Sequence, residues 1–168
     1  MTLQLLLSTL VAITLVPQDV EYERAVVRAQ QNRPATLTST ARIAPTSEPG
    51  TPLVVRGQLL GLNGAPLPNA VVFAYHTDRE GLYDRRENGP HSWRLRGWVK
   101  TDKDGRFTFE TIRPGSYPNS NNPPHVHFTA FLPSGERYHA GELQLAMKGP
   151  AGREDASVTL RLEARQKF

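Results

Sequence analysis

Beyond Leu53 the apolar runs of this chain are all of strand length, and residues that turn the backbone separate them. Seven such runs, at 53–60, 69–76, 97–101, 105–111, 125–132, 137–145 and 156–163, predict an all-β chain. Asn63-Gly64, Asp104-Gly105 and Ser134-Gly135 supply turns that tolerate positive φ. With 14 Pro and 13 Gly and few long helical patterns, the expected architecture is a β-sandwich of about seven to eight short strands over residues 51–168. A length of 168 residues gives room for one domain with a core rather than two. No internal repeat is visible.

Upstream, residues 3–16 form an apolar run too short to span a bilayer but of the length of a signal-peptide core. Residues 1–16 are therefore read as a signal peptide, and the protein as exported to a periplasm or secreted, with no membrane span in its mature form. No Lys or Arg precedes the run and no small-x-small cleavage site follows before Gln18, so a docked N-terminal helix is the competing reading. Residues 20–31 fit a short amphipathic helix, but 32–52 are rich in Pro, Thr, Ser and Ala. The stretch 17–50 as a whole reads as a linker or extended arm.

The formal net charge is +4, but basic and acidic residues are interspersed, and no stretch joins Lys or Arg to aromatics as a nucleic-acid footprint would. The absence of Cys excludes disulfides, thiolate metal sites and cysteine nucleophiles. There is no phosphate-binding glycine loop and no GxSxG elbow. Asp102-Lys103-Asp104-Gly105 resembles the start of a calcium loop. Phe107 stands where an EF-hand needs glycine and Arg113 where it needs a bidentate acid, so a hairpin turn is expected instead.

Two long inserts lack a pattern, Thr77–Arg96 and Pro114–Pro124; the first contains Tyr83 and the second Tyr117. Immediately after the second comes His125-Val126-His127. Residues two apart in a strand share a face, so the imidazoles lie side by side while Val126, Phe128 and Ala130 supply the packing face. An isolated pair of this kind is more often a surface or core feature than a chelate. Here Pro123-Pro124 stiffens the entry to the strand, and Tyr117 sits eight residues upstream in a rigid Pro114-Gly115-Ser116-Tyr117-Pro118 turn. Two phenolates and two imidazoles form a hard, anionic donor set that suits Fe(III) better than Zn(II) or Mg(II). Tyr83 taken alone reads as a packing residue. Tyr75, Tyr138, His76, His91 and His139 are the competing candidates; solvent or supporting roles are expected for His91 and His139.

From Glu48 to about Leu145 the chain resembles the intradiol ring-cleavage dioxygenases. The resemblance runs through Pro49–Leu53, Gly64–Val72, Tyr75-His76-Thr77-Asp78 and Gly81-Leu82-Tyr83, then Thr101–Phe107 and Thr111–Pro118, and ends on Pro124-His125-Val126-His127-Phe128. It implies a non-haem ferric ion held by Tyr83, Tyr117, His125 and His127, with O2 and a small aromatic diol as partners. It also implies that a catechol binds as a chelating dianion and displaces Tyr117, which acts as an internal base, and that the ring opens between the hydroxyl-bearing carbons. A homo-oligomer is left open.

Two positions depart from the family pattern. Asn122 stands where the family usually has Arg, three residues before the first histidine, and offers a hydrogen bond without the charge. Glu142 stands where many members have Gln. Both are taken with Tyr117 as the catalytic set. The chain is similar to the short, exported members, and a small or polymer-derived catechol is expected over a carboxylated one, although Arg79, Arg85, Arg86, Arg94 and Arg96 offer charge to an anion. The competing readings are a non-enzymatic module resembling the carboxypeptidase regulatory-like (prealbumin-type) sandwich, and an iron- or catechol-binding protein that has lost turnover.

Overall fold

The computed structural model describes residues 17–83 and 93–168. Its elements are helix α1 (Pro17–Gln31), strands β1 (Thr40–Arg42), β2 (Pro52–Leu60), β3 (Val71–His76), β4 (Leu95–Lys100), β5 (Arg106–Ile112), β6 (His125–Phe131), β7 (Arg137–Gln144) and β8 (Glu154–Arg161), and a final 3-10 turn at Ala164–Gln166. Two four-stranded sheets, β1-β5-β2-β8 and β4-β3-β6-β7, make the expected β-sandwich. All seven expected strands form, with ends moved by two residues at most. Gly64, Gly105 and Gly135 all take positive φ in their turns. Asp102 folds back on the 102–106 hairpin, its carboxylate accepting the Asp104 and Arg106 amides at 2.9 and 2.8 Å.

Alternation along the strands separates two apolar regions. The inner faces bury Leu53, Val55 and Leu59 of β2, Phe107 and Phe109 of β5, Val72 and Ala74 of β3, and Val126, Phe128 and Ala130 of β6. The outer face of the second sheet carries Phe73, Tyr75 and Trp98, and α1 covers it with Ala25, Val26 and Ala29. The stretch 17–50, read as a linker or extended arm, thus holds a fifteen-residue helix and a short strand that pairs in parallel with β5. The helix face was visible at 20–31. Its partner was not, because the outward aromatics Phe73, Tyr75 and Trp98 come from positions that a one-sided sheet gives to polar groups.

Residues 1–16, His91, Arg85 and Arg86 lie outside the described residues. Among the described residues no helix is long and apolar enough to cross a membrane.

Candidate metal centre

The site lies on the outer face of the β4-β3-β6-β7 sheet and is built from one strand and two loops. On β6, His125 and His127 point outward, opposite the core face of Val126 and Phe128. The imidazole planes stand nearly perpendicular, 88° apart, with centroids at 4.5 Å. His125 Nδ1 lies 2.7 Å from the Pro123 carbonyl, which can only accept, so this nitrogen carries the proton and Nε2 keeps its lone pair. Pro123-Pro124 therefore fixes both the backbone and the tautomer. Tyr75, the cross-strand partner of His127 on β3, stacks on its ring at 4.8 Å and 18°. Trp93 stacks behind Tyr75 at 3.9 Å.

The two inserts bring the tyrosines onto this pair. Tyr117 Oη lies 2.9 Å from His125 Nε2 and 3.3 Å from His127 Nε2, and Tyr83 Oη lies 3.0 Å from His127 Nε2. The two hydroxyls are themselves in hydrogen-bonding contact. Four donor atoms from residues spread over 45 positions thus converge on one point. Adjacent ligands that each stand about 2.1 Å from a common ion, at right angles, lie about 3 Å apart, which matches these separations. The chemistry of the set, two oxygens and two nitrogens, fits a metal ion.

Burial shapes each member. It pushes the Tyr83 phenol well above its ordinary range, helped by the Tyr117 hydroxyl, and raises Tyr117 as well. Burial, with the neighbouring His125, lowers the His127 imidazole to about 4, so it is neutral and able to ligate at physiological pH. The phenols become anionic ligands only where a bound cation offsets that desolvation.

Glu142 reaches the same face through an irregularity in β7. Ala130 pairs with Tyr138 and Phe128 with Gly141, so β7 carries one extra residue beside the β6 step from Phe128 to Thr129. Gly141 sits there at φ +90°. The extra residue reverses the parity of the strand: Tyr138 and Ala140 point into the core, whereas Glu142 pairs with His127 and Gln144 with His125 on the outer face. A Glu142 carboxylate oxygen lies 3.7 Å from His127 Nδ1, and the Gln144 amide donates to the other oxygen at 2.7 Å. His125, His127 and Glu142 form a group able to hold a metal ion among the described residues. Asn122 is exposed on the loop entering β6, its backbone amide donating to Ser120 Oγ at 3.1 Å.

The competing candidates have other partners. His76 is fully buried between the sheets, Nδ1 2.6 Å from the Thr77 carbonyl and Nε2 2.7 Å from Thr111 Oγ1. Tyr138 belongs to the inner core, and the His139 ring stacks on Tyr22 at 5.1 Å. Three arginines considered as anion binders also turn elsewhere: Arg79 pairs with Glu80, Arg94 with Glu48, and Arg96 donates to the Trp93 carbonyl. The supporting roles of Tyr75 and Gln144 went unread; strand parity pointed to Tyr75, and nothing in the sequence marked the bulge that presents Gln144.

The family model described as Dioxygenase matches residues 28–152, a span holding both tyrosines and both histidines. The chain belongs to the intradiol dioxygenase family. Relatives of this dioxygenase-family chain include catechol 1,2-dioxygenase 1 of Acinetobacter lwoffii, 35% identical over 104 residues that cover 51% of this chain and 33% of that protein. Another is 6-chlorohydroxyquinol 1,2-dioxygenase of Cupriavidus pinatubonensis, 37% identical over 75 residues, covering 45% and 27%. The chain spans 40% or less of the length of these and of catechol 1,2-dioxygenase 2 of A. lwoffii. Among solved structures, the dioxygenase domain of a dioxygenase and carbohydrate-binding protein fusion from Streptomyces sp. SirexAA-E shares the fold, with a TM-score of 0.58 and 24% identity over 77% of this chain and 91% of that one. An intradiol ring-cleavage dioxygenase from Tetranychus urticae matches with a TM-score of 0.52 and 27% identity, over 66% and 59%.

Proposed function

We propose that this protein is a non-haem Fe(III) dioxygenase that opens a catechol-type ring between its two hydroxyl-bearing carbons with O2. The observation that carries the reading is the convergence of the Tyr83 and Tyr117 hydroxyls with His125 Nε2 and His127 Nε2. Tyr83, Tyr117, His125 and His127 are the metal ligands in this proposal. A ferric ion held by them would supply Lewis acidity toward a catecholate and O2.

The four ligands are not equivalent. Both tyrosines lie on loops, but Tyr83 is packed against Tyr75 at 5.8 Å, whereas Tyr117 is the shared contact of the other three groups. Tyr117 would accordingly be the ligand to give way to substrate, and its phenolate would accept a catechol proton. The Glu142 carboxylate lies 3.7 Å from the outer nitrogen of His127, beyond a direct hydrogen bond, and its charge favours the proton there, leaving Nε2 to face the site. Asn122, three residues before His125, offers the bound diol an amide rather than a charge. The pairing of Arg79 and Arg94 with carboxylates supports an uncharged catechol over a carboxylated one. Export of the mature chain belongs to the same proposal and rests on the apolar 3–16 run.

Purification with ferric iron tests this directly. The expected protein is burgundy, from phenolate-to-iron charge transfer, carries one iron per chain, and consumes O2 with catechol to give a muconic-acid-type product. A colourless, iron-free protein overturns the reading. A coloured protein without O2 uptake leaves an iron- and catechol-binding protein instead, the outcome that the neutral Asn122 favours.

A further inference from the structure

We infer that Asp78, Arg94 and Glu48 form a clamp that sets the position of the Tyr83 phenol and ties together the two loops that carry the tyrosines. This rests on the metal-site reading above. The clamp starts at the end of β3. The Asp78 carboxylate, 1% exposed, accepts the amides of Glu80 at 2.9 Å and Leu82 at 3.1 Å, while the Asp78 amide donates to the Leu82 carbonyl at 2.8 Å. The residue before Tyr83 is thus bonded to Asp78 in both directions. Gly81 donates to the Asp78 carbonyl at 3.1 Å and turns the chain at φ +85°. The tyrosine emerges from a turn whose amides are largely committed.

The second half of the clamp lies across the insert. The Arg94 amide donates to the Tyr83 carbonyl at 3.2 Å, so the chain leaving Tyr83 and the chain returning at Arg94 are joined. The Arg94 guanidinium grips Glu48 with two bonds, at 2.6 and 2.8 Å, and lies 3.7 Å from the Asp78 carboxylate. Both carboxylates are almost fully buried, with side chains 8% and 1% exposed. In that environment a planar, bidentate guanidinium fixes direction as well as charge.

The same turn is locked to the Tyr117 loop. Gly115 donates to the Asp78 carbonyl at 2.7 Å and its own carbonyl accepts from Thr77 Oγ1 at 2.8 Å. The backbones touch so closely that a Cβ on Gly81 would lie 1.9 Å from the Ser116 carbonyl oxygen, and one on Gly115 would lie 2.4 Å from the Arg79 carbonyl oxygen. One residue, Asp78, therefore joins both ligand-bearing loops to β3, its carboxylate holding the Tyr83 turn and its main-chain carbonyl accepting from Gly115. Ligand atoms work only when held to about 0.5 Å, and Tyr83 has no strand of its own to hold it. Asp78, Arg94 and Glu48 are positioning residues; none touches the donor atoms.

The test compares Arg94→Gln, Arg94→Lys, Asp78→Ala and Asp78→Asn with the wild-type chain, by ferric-iron titration, the phenolate-to-iron band and a thermal melt. Arg94→Gln and Asp78→Ala are expected to weaken iron binding at least tenfold and to shift the band, while the melt of the metal-free protein stays cooperative. Asp78→Asn keeps the acceptor for the Glu80 and Leu82 amides and is expected to recover most of the affinity lost in Asp78→Ala; Arg94→Lys, which cannot grip Glu48 in two places, is not expected to recover what Arg94→Gln loses. Unchanged affinity and an unchanged band in both Arg94→Gln and Asp78→Ala overturn the clamp. If the wild-type chain binds no iron, the metal-site reading fails on its own, and the clamp is judged on the metal-free protein: with ring-labelled tyrosine, assigned by Tyr83→Phe, the Tyr83 resonance is expected to broaden or move in Arg94→Gln, and an unmoved resonance overturns it.

Discussion

His125 and Tyr117 are in contact at 2.9 Å, yet their loss has different consequences. His125 is preset twice, by the strand and by the Pro123 carbonyl, and in the proposed site its ring would chelate the ion together with His127. Removing it in His125→Ala is expected to cut bound iron to below a tenth of the wild-type content while the melt stays close to wild type, since Val126, Phe128 and Ala130 still pack beneath. Full iron in that variant would sink the ligand assignment. Tyr117→Phe removes one of the two oxygens among the four donors and is expected to retain iron, with a shifted visible band and catechol association slowed roughly tenfold or more. Iron analysis and stopped-flow absorbance on the pair check both. His76 shows the opposite use of an imidazole. Burial lowers it to about 4, below the roughly 6.5 of an unfolded chain, so the unfolded state binds the extra proton first. The stability contributed by the neutral ring is complete above pH 6.5 and disappears as the pH falls to 4, about 3 kcal/mol in all. In urea titrations His76→Gln should accordingly flatten the decline of stability over that window. At this scale the ligand chemistry was readable, because His-x-His in a strand dictates a shared face. The clamp was not, because Asp78 acts on backbone amides and the Arg94 guanidinium grips a Glu48 carboxylate 46 positions away, contacts that no local pattern advertises.

Among the elements, the bulge in β7 decides what surrounds the histidines. Seven of the eight strands could be placed from apolar runs and turn residues, since each run has one face to bury. Strand β1, only three residues long, carries too short a pattern to be seen. The extra residue at Ala140-Gly141 has no signature beyond a glycine, and a strict two-residue period from Tyr138 would have sent Glu142 into the core. Gly141 has open space where a Cβ would stand but holds φ +90°, so Gly141→Ala meets strain rather than a clash. That change should cost about 1–2 kcal/mol. If the strand relieves the strain by slipping, Glu142 leaves His127 and iron affinity falls with it; a variant with full affinity and unaltered stability would show that the bulge is dispensable. Helix α1 provides the second test at this scale. Val26 is fully buried against the aromatic face, and Val26→Ala should cost about 2 kcal/mol, read as a lower urea midpoint with red-shifted emission from Trp93 and Trp98.

Taken as a whole, the molecule is a sandwich whose interior owes nothing to the metal, with a site on the outside of one sheet. The inner core joins all eight strands or the segments beside them through apolar contacts, whereas Tyr83 and Tyr117 meet the histidines through hydroxyl groups at the ends of two loops. The scaffold's contacts therefore need no ion, and an ion held as proposed would add a cross-link between β6 and both loops. A ligand that binds only the native state stabilises it by about 2.7 kcal/mol at a hundred times its Kd, and by more as affinity rises. For a domain of this size that is a shift of about 5–10 °C in Tm. Chelator-stripped and iron-loaded protein should both melt cooperatively, the second higher by that amount, and the difference should vanish in His125→Ala. The sign of the comparison is informative in either direction. If the stripped protein lost its sheet signal at room temperature, the metal would be holding the fold rather than the loops, and the separation drawn here between a self-sufficient core and an externally mounted site would be wrong.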